Sequence, residues 1–415
     1  MNFRRRRASP SGLALALALP GLAAVALPAR SQTLSEVLAQ AYSNNPTLLS
    51  ARAQLRSVDE NVPQALAGWR PSVTINSAVG VTDSRSRALQ QQYDPNERRF
   101  YFQQPQSQTV QTAQGPLTFA VPNTNHIERS TAQNSIVINQ PVFRGGRTVY
   151  TTRRAENQVL AQRARLLQTE QQVLQQTIEF YVNVIRDQEL LRLNINNEQV
   201  LTEQLRATSE RFRVGEITRT DVAQAESRLA AARASRTQSE GDLQISRAQY
   251  QRLVGTPPQR LVAPQPLRPP VRTAQEAGQV AATNNPQVVA ALFEEAGARD
   301  NIDIQLAQLL PQLSLQGQAA RIDNQFQPHS RVTSGQVTAN LTLPLYQGGA
   351  EYAAVRQARQ QAQQLRQTVD EQRRNAVQQA TQAWEQFQSS RAQVDSQRAA
   401  IRAAEIALDL SLIHI

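Results

Sequence analysis

The chain has 415 residues, no Cys, one Met and a formal net charge of +11, with 40% hydrophobic residues. Its length suits two or three ordinary domains, but past residue 30 no run approaches the roughly 20 apolar residues that a membrane-spanning helix needs. Without Cys there is no disulfide framework, thiolate metal site, thiol nucleophile or lipid-modified N-terminal cysteine, and three scattered histidines (His126, His329, His414) offer no metal site or triad.

All 44 basic residues are Arg, a bias of the kind a GC-rich genome produces. They are dispersed among Glu, Asp and Gln, as on solvated helix faces. No basic stripe is interleaved with aromatics, so nucleic acid is not a predicted partner. Arg4 to Arg7 precede a short apolar stretch, Leu13 to Leu27, broken by Pro20 and followed by Ala29-Arg30-Ser31. That order predicts a signal peptide over 1–31, removed on export, rather than an N-terminal anchor.

The remainder is duplicated. Asn44-Asn45-Pro46 recurs as Asn284-Asn285-Pro286, and Pro71 as Pro311, both 240 positions later. Pro141-Val142-Phe143-Arg144-Gly145-Gly146 recurs as Pro344-Leu345-Tyr346-Gln347-Gly348-Gly349, 203 positions later. The repeats run 32–255 and 273–415, joined by a Pro-rich linker, 256–272. In each, a helix of about 24 residues follows the Asn-Asn-Pro landmark. Val73, Ile75, Val79 and Val81 then alternate with small or polar residues, the period of a strand with one apolar face. Leu313 and Leu315 repeat the pattern in the second half. Partner strands are predicted over Ile136 to Gln140 and Val337 to Leu343. The segment from Asp83 to Asn134, polar and rich in Gln and Pro, reads as a long surface loop.

From Arg147 to Phe212 there is no Gly or Pro, and apolar residues recur at helical spacing. Such a helix would extend about 99 Å and has no core of its own, so it must pack lengthwise on others. Val214-Gly215-Glu216 turns the chain into a second helix, from about Thr218 to Leu253. The fold class is mainly α with a small β part, each repeat a strand pair followed by a very long helical hairpin.

Residues 214 to 225, with Val-Gly followed by Thr, Asp221-Val222 and Ala225, resemble the turn signature of the TolC family of outer-membrane channel proteins. Pro141, Gly145 and Gly146, and Pro344, Gly348 and Gly349, resemble that family's strand-to-helix junctions. The resemblance implies a homotrimer in the outer membrane, reaching into the periplasm as joined β- and α-barrels. It implies a passive exit duct for type I protein secretion or drug efflux. The implied partners are outer-membrane lipid, a periplasmic adaptor and an inner-membrane ABC or proton-driven transporter. Thr220 and Asp221 correspond to the closed periplasmic gate, and Val214 and Gly215 to the hairpin tip that adaptors touch. Read locally, Thr220-Asp221 is a helix cap and Gly215 a turn residue. The strand valines would face lipid.

No enzyme signature, metal set or cofactor motif is present. The Gly-Gly pairs lack the Gly-Lys-Ser/Thr of phosphate loops, and Glu294-Glu295 with Asp300 to Asp303 read as a solvated helix face. A soluble coiled-coil protein or periplasmic adaptor is the competing reading; the duplicated strand pairs favour the duct. At offset 203 the second repeat stops at Ile415, where the first has Phe212. The reading is then a C-terminally truncated chain without second-repeat gate residues, whose last apolar residues (Ile401, Ile406, Leu408) lack a returning helix.

Overall fold

The computed structural model describes residues 32–414 except 88–90, 95–98, 103–105, 113–114, 122–123, 267–268 and 325–328; the predicted signal peptide lies outside the described residues. The chain opens with α1 (Leu34–Asn44), α2 (Pro46–Asp59) and α3 (Asn61–Leu66). Thr33 and Glu36 form a reciprocal capping box at the start of α1. The expected single helix after Asn45 is broken at Glu60 because Pro63 cannot donate to Asp59 and its ring crowds that carbonyl. In the second repeat, without a proline there, α7 runs unbroken.

Strand β1 (Ser72–Arg87) follows, then two small hairpins, β2 (Gln91–Asp94) with β3 (Arg99–Phe102) and β4 (Gln106–Thr112) with β5 (Gly115–Val121), then β6 (Thr124–Arg144). The long-loop reading of 83–134 is thus corrected. β1 and β6 pair continuously from Ser72↔Asn139 to Arg87↔Thr124. Their outer halves are polar on both faces, so no hydrophobic alternation marks them as strands.

Helix α4 (Arg147–Arg213) and α5 (Arg219–Val254) are the predicted hairpin. α6 (Ala274–Asn284), α7 (Pro286–Leu306), β7 (Gln312–Asp323), β8 (Arg331–Thr342) and α8 (Ala350–His414) complete the second repeat. Asn285 caps α7, its side chain accepting from Gln287 N at 2.8 Å with Pro286 in the first turn. Asn45, its counterpart, is buried and donates to the Leu253 carbonyl at 3.0 Å.

The compact units are not the sequence repeats. One takes the described parts of Met1–Pro46 and Gln171–Leu267, the other those of Thr47–Glu170 and Arg268–Ile415. In the first, Leu229, Ala232 and Leu243 of α5 are buried. In the second, α8 packs on α6 and α7 along a seam of small buried residues, Val355, Ala358, Ala362 and Ala376 among them. Gly278 of α6 sits where a Cβ would lie 3.3 Å from Val377, so the helices approach closely. Towards its end α8 is exposed, including Ile401, Ile406 and Leu408.

Candidate functional site

The second unit holds one antiparallel four-stranded sheet in the order β1-β6-β7-β8, so each repeat supplies two adjacent strands. Following the register across it gives aligned rows. Val73–Ile138–Gly317–Val337 and Ile75–Ile136–Ala319–Gly335 lie on one face. Thr74–Val137–Gln318–Gln336 and Asn76–Ser135–Ala320–Ser334 lie on the other. One face is therefore apolar or small, the other mostly amide and hydroxyl, because successive strand residues point to opposite sides. Ile75 is 74% exposed, as a lipid-facing residue would be in a single protomer.

Val79 and Val81 share that apolar face but not its depth. Val79 stands in a row with Ala132, Asp323 and Arg331, and Asp323 is paired with Arg331 at 2.8 Å and Arg321 at 3.2 Å. Val81 pairs with Ser130, beyond the last β6–β7 partner. An uncharged band thus runs through the Val73 and Ile75 rows and stops at a charged rim. Grouping all four residues as equally placed is refined by the register, which strand periodicity alone does not contain.

At the helix end of the sheet, a register shift between Pro141 and Phe143 places an extra residue, Val142, in β6. Pro141 thus lies at the bulge, three residues before β6 ends at Arg144, and the bulge accommodates its missing N–H. The chain leaves through Gly145 and Gly146, with φ of 59° and 83°. A Cβ on Gly145 would lie 2.6 Å from the Ala307 carbonyl oxygen and 2.7 Å from the Leu310 Cβ. Gly348 and Gly349 repeat the turn, φ 70° and 84°, with no atom within 4 Å of either added Cβ. Pro344 lies past the end of β8.

The hairpin turn is built from local hydrogen bonds. Glu216 N donates to the Arg211 carbonyl at 3.0 Å and Gly215 N to that of Phe212 at 2.9 Å. With Gly215 at φ 78°, this is a Schellman closure of α4. Arg211 and Glu216 then pair at 2.6 Å, and that hydrogen bond holds the Glu216 carboxyl below the usual range. Val214 stands 77% exposed beside them. Thr218, not Thr220, caps α5. Its hydroxyl and backbone N–H both donate to the Asp221 carboxylate, at 2.8 and 2.9 Å. Those two bonds hold the Asp221 carboxyl low. Thr220 is exposed next to this box. Asp221 thus meets the cap reading, and the side chains of Val214, Thr220 and Asp221 cluster at one solvent-exposed turn.

The first unit also holds a clasp that helical spacing hid. Tyr181 and Tyr250 are fully buried. The Tyr181 hydroxyl donates to the Val262 carbonyl at 2.6 Å and accepts from Val262 N at 3.1 Å. Tyr250 donates to the Gln32 side chain at 3.3 Å. Burial pushes the Tyr250 phenol up to about 12. Nearby, the Asp187 carboxylate is buried and bonded by Ser246 and by Arg186. Burial raises its pKa, but those hydrogen bonds and the Arg186 charge together hold it below the usual carboxylate range. In the sequence Tyr181 is one more apolar helical position; nothing there shows that its hydroxyl holds the linker.

The carboxylate cluster on α7 is corrected in part. Glu295 is 7% exposed and accepts from Arg299 at 2.6 Å. Glu294 pairs with Arg165, and Asp300 accepts from Asn157 at 2.8 Å. Glu294 and Asp300 thus tie α7 to α4 within the unit, while the Glu295–Arg299 pair stays within α7; spacing along α7 could not reveal which face packs. Among the described residues, no group of His, Cys, Asp and Glu is arranged to hold a metal ion.

The family model described as outer membrane efflux protein matches residues 37–256 and 277–413. The chain is 30% identical over 362 residues to the outer membrane efflux protein BepC of Brucella suis biovar 1, covering 87% of this chain and 71% of that one. It is 25% identical over 342 residues to the outer membrane protein TolC of Vibrio cholerae, covering 79% and 68%. A crystal structure of CusC superposes with a TM-score of 0.69 over 90% of this chain and 80% of that one at 15% identity, a likeness of fold. The two matched segments take in both repeats, and the chain therefore belongs to the outer membrane efflux protein family, that of TolC, and is an outer-membrane exit duct.

Proposed function

We propose that three copies of this chain form one duct, closing their sheets into a twelve-stranded barrel. The observation that carries the reading is the open sheet: β1 and β8 each have one edge without a partner among the described strands. An unpaired strand edge in lipid is too costly to persist, and four strands cannot close on themselves. The apolar rows would face lipid and the amide rows the lumen. The long helices would continue the path into the periplasm. There Val214 and Gly215 would meet an adaptor, and Thr220 and Asp221 would line the closed entrance. Its cap would hold Asp221 ionised, as a gate partner requires. An inner-membrane ABC or proton-driven transporter would load the duct with protein or drug.

The test is outer-membrane fractionation followed by gel electrophoresis with and without boiling. A heat-sensitive trimer is expected. The chain lacks Cys, so single cysteines placed along β1 and β8 report edge contacts without background. Crosslinks between protomers that step along both strands in one register support closure. A protein extracted only as a monomer, with no β1–β8 crosslink, would falsify it. Gly215→Val should lower adaptor crosslinking without changing outer-membrane insertion, since the turn is closed by its own hydrogen bonds.

A further inference from the structure

A cavity of about 500 Å³ lies at the helix end of the sheet, within the second unit. Arg144, Arg147 and Arg154 line it, together with Gln305, Gln308 and Gln312 and without an acidic residue among its described lining. Arg154 donates to a neutral partner, Asn301, at 2.9 Å. Arg144 and Arg147 form no ion pair among the described residues. Three positive charges thus share one enclosure without a neutralising group in its described lining, whereas Arg192, Arg206 and Arg236 elsewhere on the helices are each paired with Glu.

The register says which way this cluster faces. Past the bulge, Arg144 stands opposite Gln312, which shares its face with Ser314, Gln316 and Gln318 by strand alternation. That is the polar face, and its rows through Gln318 and Ala320 carry no charge. Arg144 therefore brings the first charge to the polar surface, where the strands become helices. Arg147 sits in the first turn of α4, where the helix dipole disfavours a cation. Helix stability does not explain that choice, and an anion between Arg147 and Arg144 would. The second repeat has Gln347 and Ala350 at the corresponding positions, so only the first repeat carries this charge.

We propose that Arg144 and Arg147 form a basic collar at the neck of the duct. It would transiently bind the carboxylate or phosphate groups of cargo and favour anions over cations in transit. Rings of Arg in a pore act in this way on anions and phosphates. The inference rests on the duct reading above, because only a closed barrel makes the polar face a lumen.

Two measurements on the full chain test it. In detergent, tripolyphosphate should bind the wild type and bind an Arg144→Gln/Arg147→Gln variant at least about tenfold more weakly; this needs the site but no open path. In planar bilayers under a KCl gradient, the variant's reversal potential should move towards cation preference, and Gln347→Arg should move it the other way. Circular dichroism and outer-membrane yield confirm that the variants fold. Equal tripolyphosphate binding overturns the collar. Weakened binding with an unchanged reversal potential also overturns it, because the anion site then lies off the path. A wild type that binds tripolyphosphate but gives no β1–β8 crosslink between protomers sinks the duct reading, and the collar with it.

Discussion

The two strand-to-helix junctions carry the same Pro-x-aromatic-x-Gly-Gly motif and the same left-handed backbone, yet they occupy different surroundings. Gly145 is buried against Ala307 and Leu310, with no room for a methyl group. Gly348 is open on every side, and Tyr346 before it is 83% exposed, whereas Phe143 in the first repeat is about half as exposed. The difference separates two reasons for a glycine. Positive φ is a local demand of the turn and recurs with the motif. Close approach is a tertiary demand, made where α7 and its following 3-10 turn press on the end of β6. Only the first junction also carries Arg144 and Arg147.

The sharpest way to break this comparison is Gly145→Ala against Gly348→Ala. Both force an alanine into the left-handed region, costing about 1–2 kcal/mol. At Gly145 overpacking adds roughly 1–3 kcal/mol. Chemical unfolding in detergent should show the first variant markedly less stable. Equal midpoints would mean that the contact with Ala307 relaxes freely and that the junctions are equivalent.

A second test sets the two ends of β1 against each other. Ile75→Arg should cost about 2–4 kcal/mol near the bilayer midplane, falling to about 0–1 kcal/mol for Val79→Arg at the charged rim. Asn76→Arg, on the polar face, should be tolerated. Outer-membrane yield and refolding into vesicles read the difference. An Arg at residue 79 as damaging as one at 75 would place the lipid boundary further out along β1.

The third test compares Tyr181 with Trp384, its counterpart at the offset of 203 residues. Tyr181→Phe removes the hydroxyl bonded to the Val262 carbonyl, while Val262 N keeps its bond to the Gln32 carbonyl at 3.3 Å; the loss is about 0.5–1.5 kcal/mol, that of an ordinary hydrogen bond. Amide exchange and limited proteolysis over 256–262 should rise. Trp384 is partly buried and lies 6.0 Å from Phe387 between ring centroids, with no side-chain hydrogen bond to lose among the described residues, so Trp384→Phe should change little. Unaltered exchange in Tyr181→Phe would show that the strap is held elsewhere.

The smallest effect expected concerns acid. Asp187 has a lowered pKa in the folded chain. Its contribution is complete above the ordinary aspartate range and fades as pH falls through the folded value. Its counterpart is Ser390, which cannot titrate. Asp187→Asn should be less stable at neutral pH and should flatten the acid side of the stability curve. A curve that keeps its acid slope would assign that slope to other carboxylates, Asp221 and Glu216 first.

Much of the architecture was legible because it rests on periodic or punctuating residues. A run without Gly or Pro gave α4 to within a residue. Val-Gly gave the turn, and Gly-Gly both junctions. Alternation gave the inner halves of β1 and β7, where one face is apolar. It failed over the outer halves of β1 and β6, whose two faces are both polar and leave no contrast to read. The break at Glu60 needed Pro63 to be weighed, and the capping partner of Asp221 needed the register of one helical turn, which moves the role from Thr220 to Thr218.

The sequence by itself determined the duplication, the order of elements, the family resemblance and the turn chemistry. These depend on neighbours within about one helical turn or on period. Tertiary structure alone decided that β6 pairs with β7 across the repeats, and that Gly145 is crowded while Gly348 is free. It also decided that Glu295 is buried, that Tyr181 clasps the linker, and that Arg144 stands on the polar face without a carboxylate. Each of these depends on which distant segment lies opposite, and on a single bulge that reverses the side a residue faces. Neither the choice of partner segment nor the bulge leaves a period in the chain.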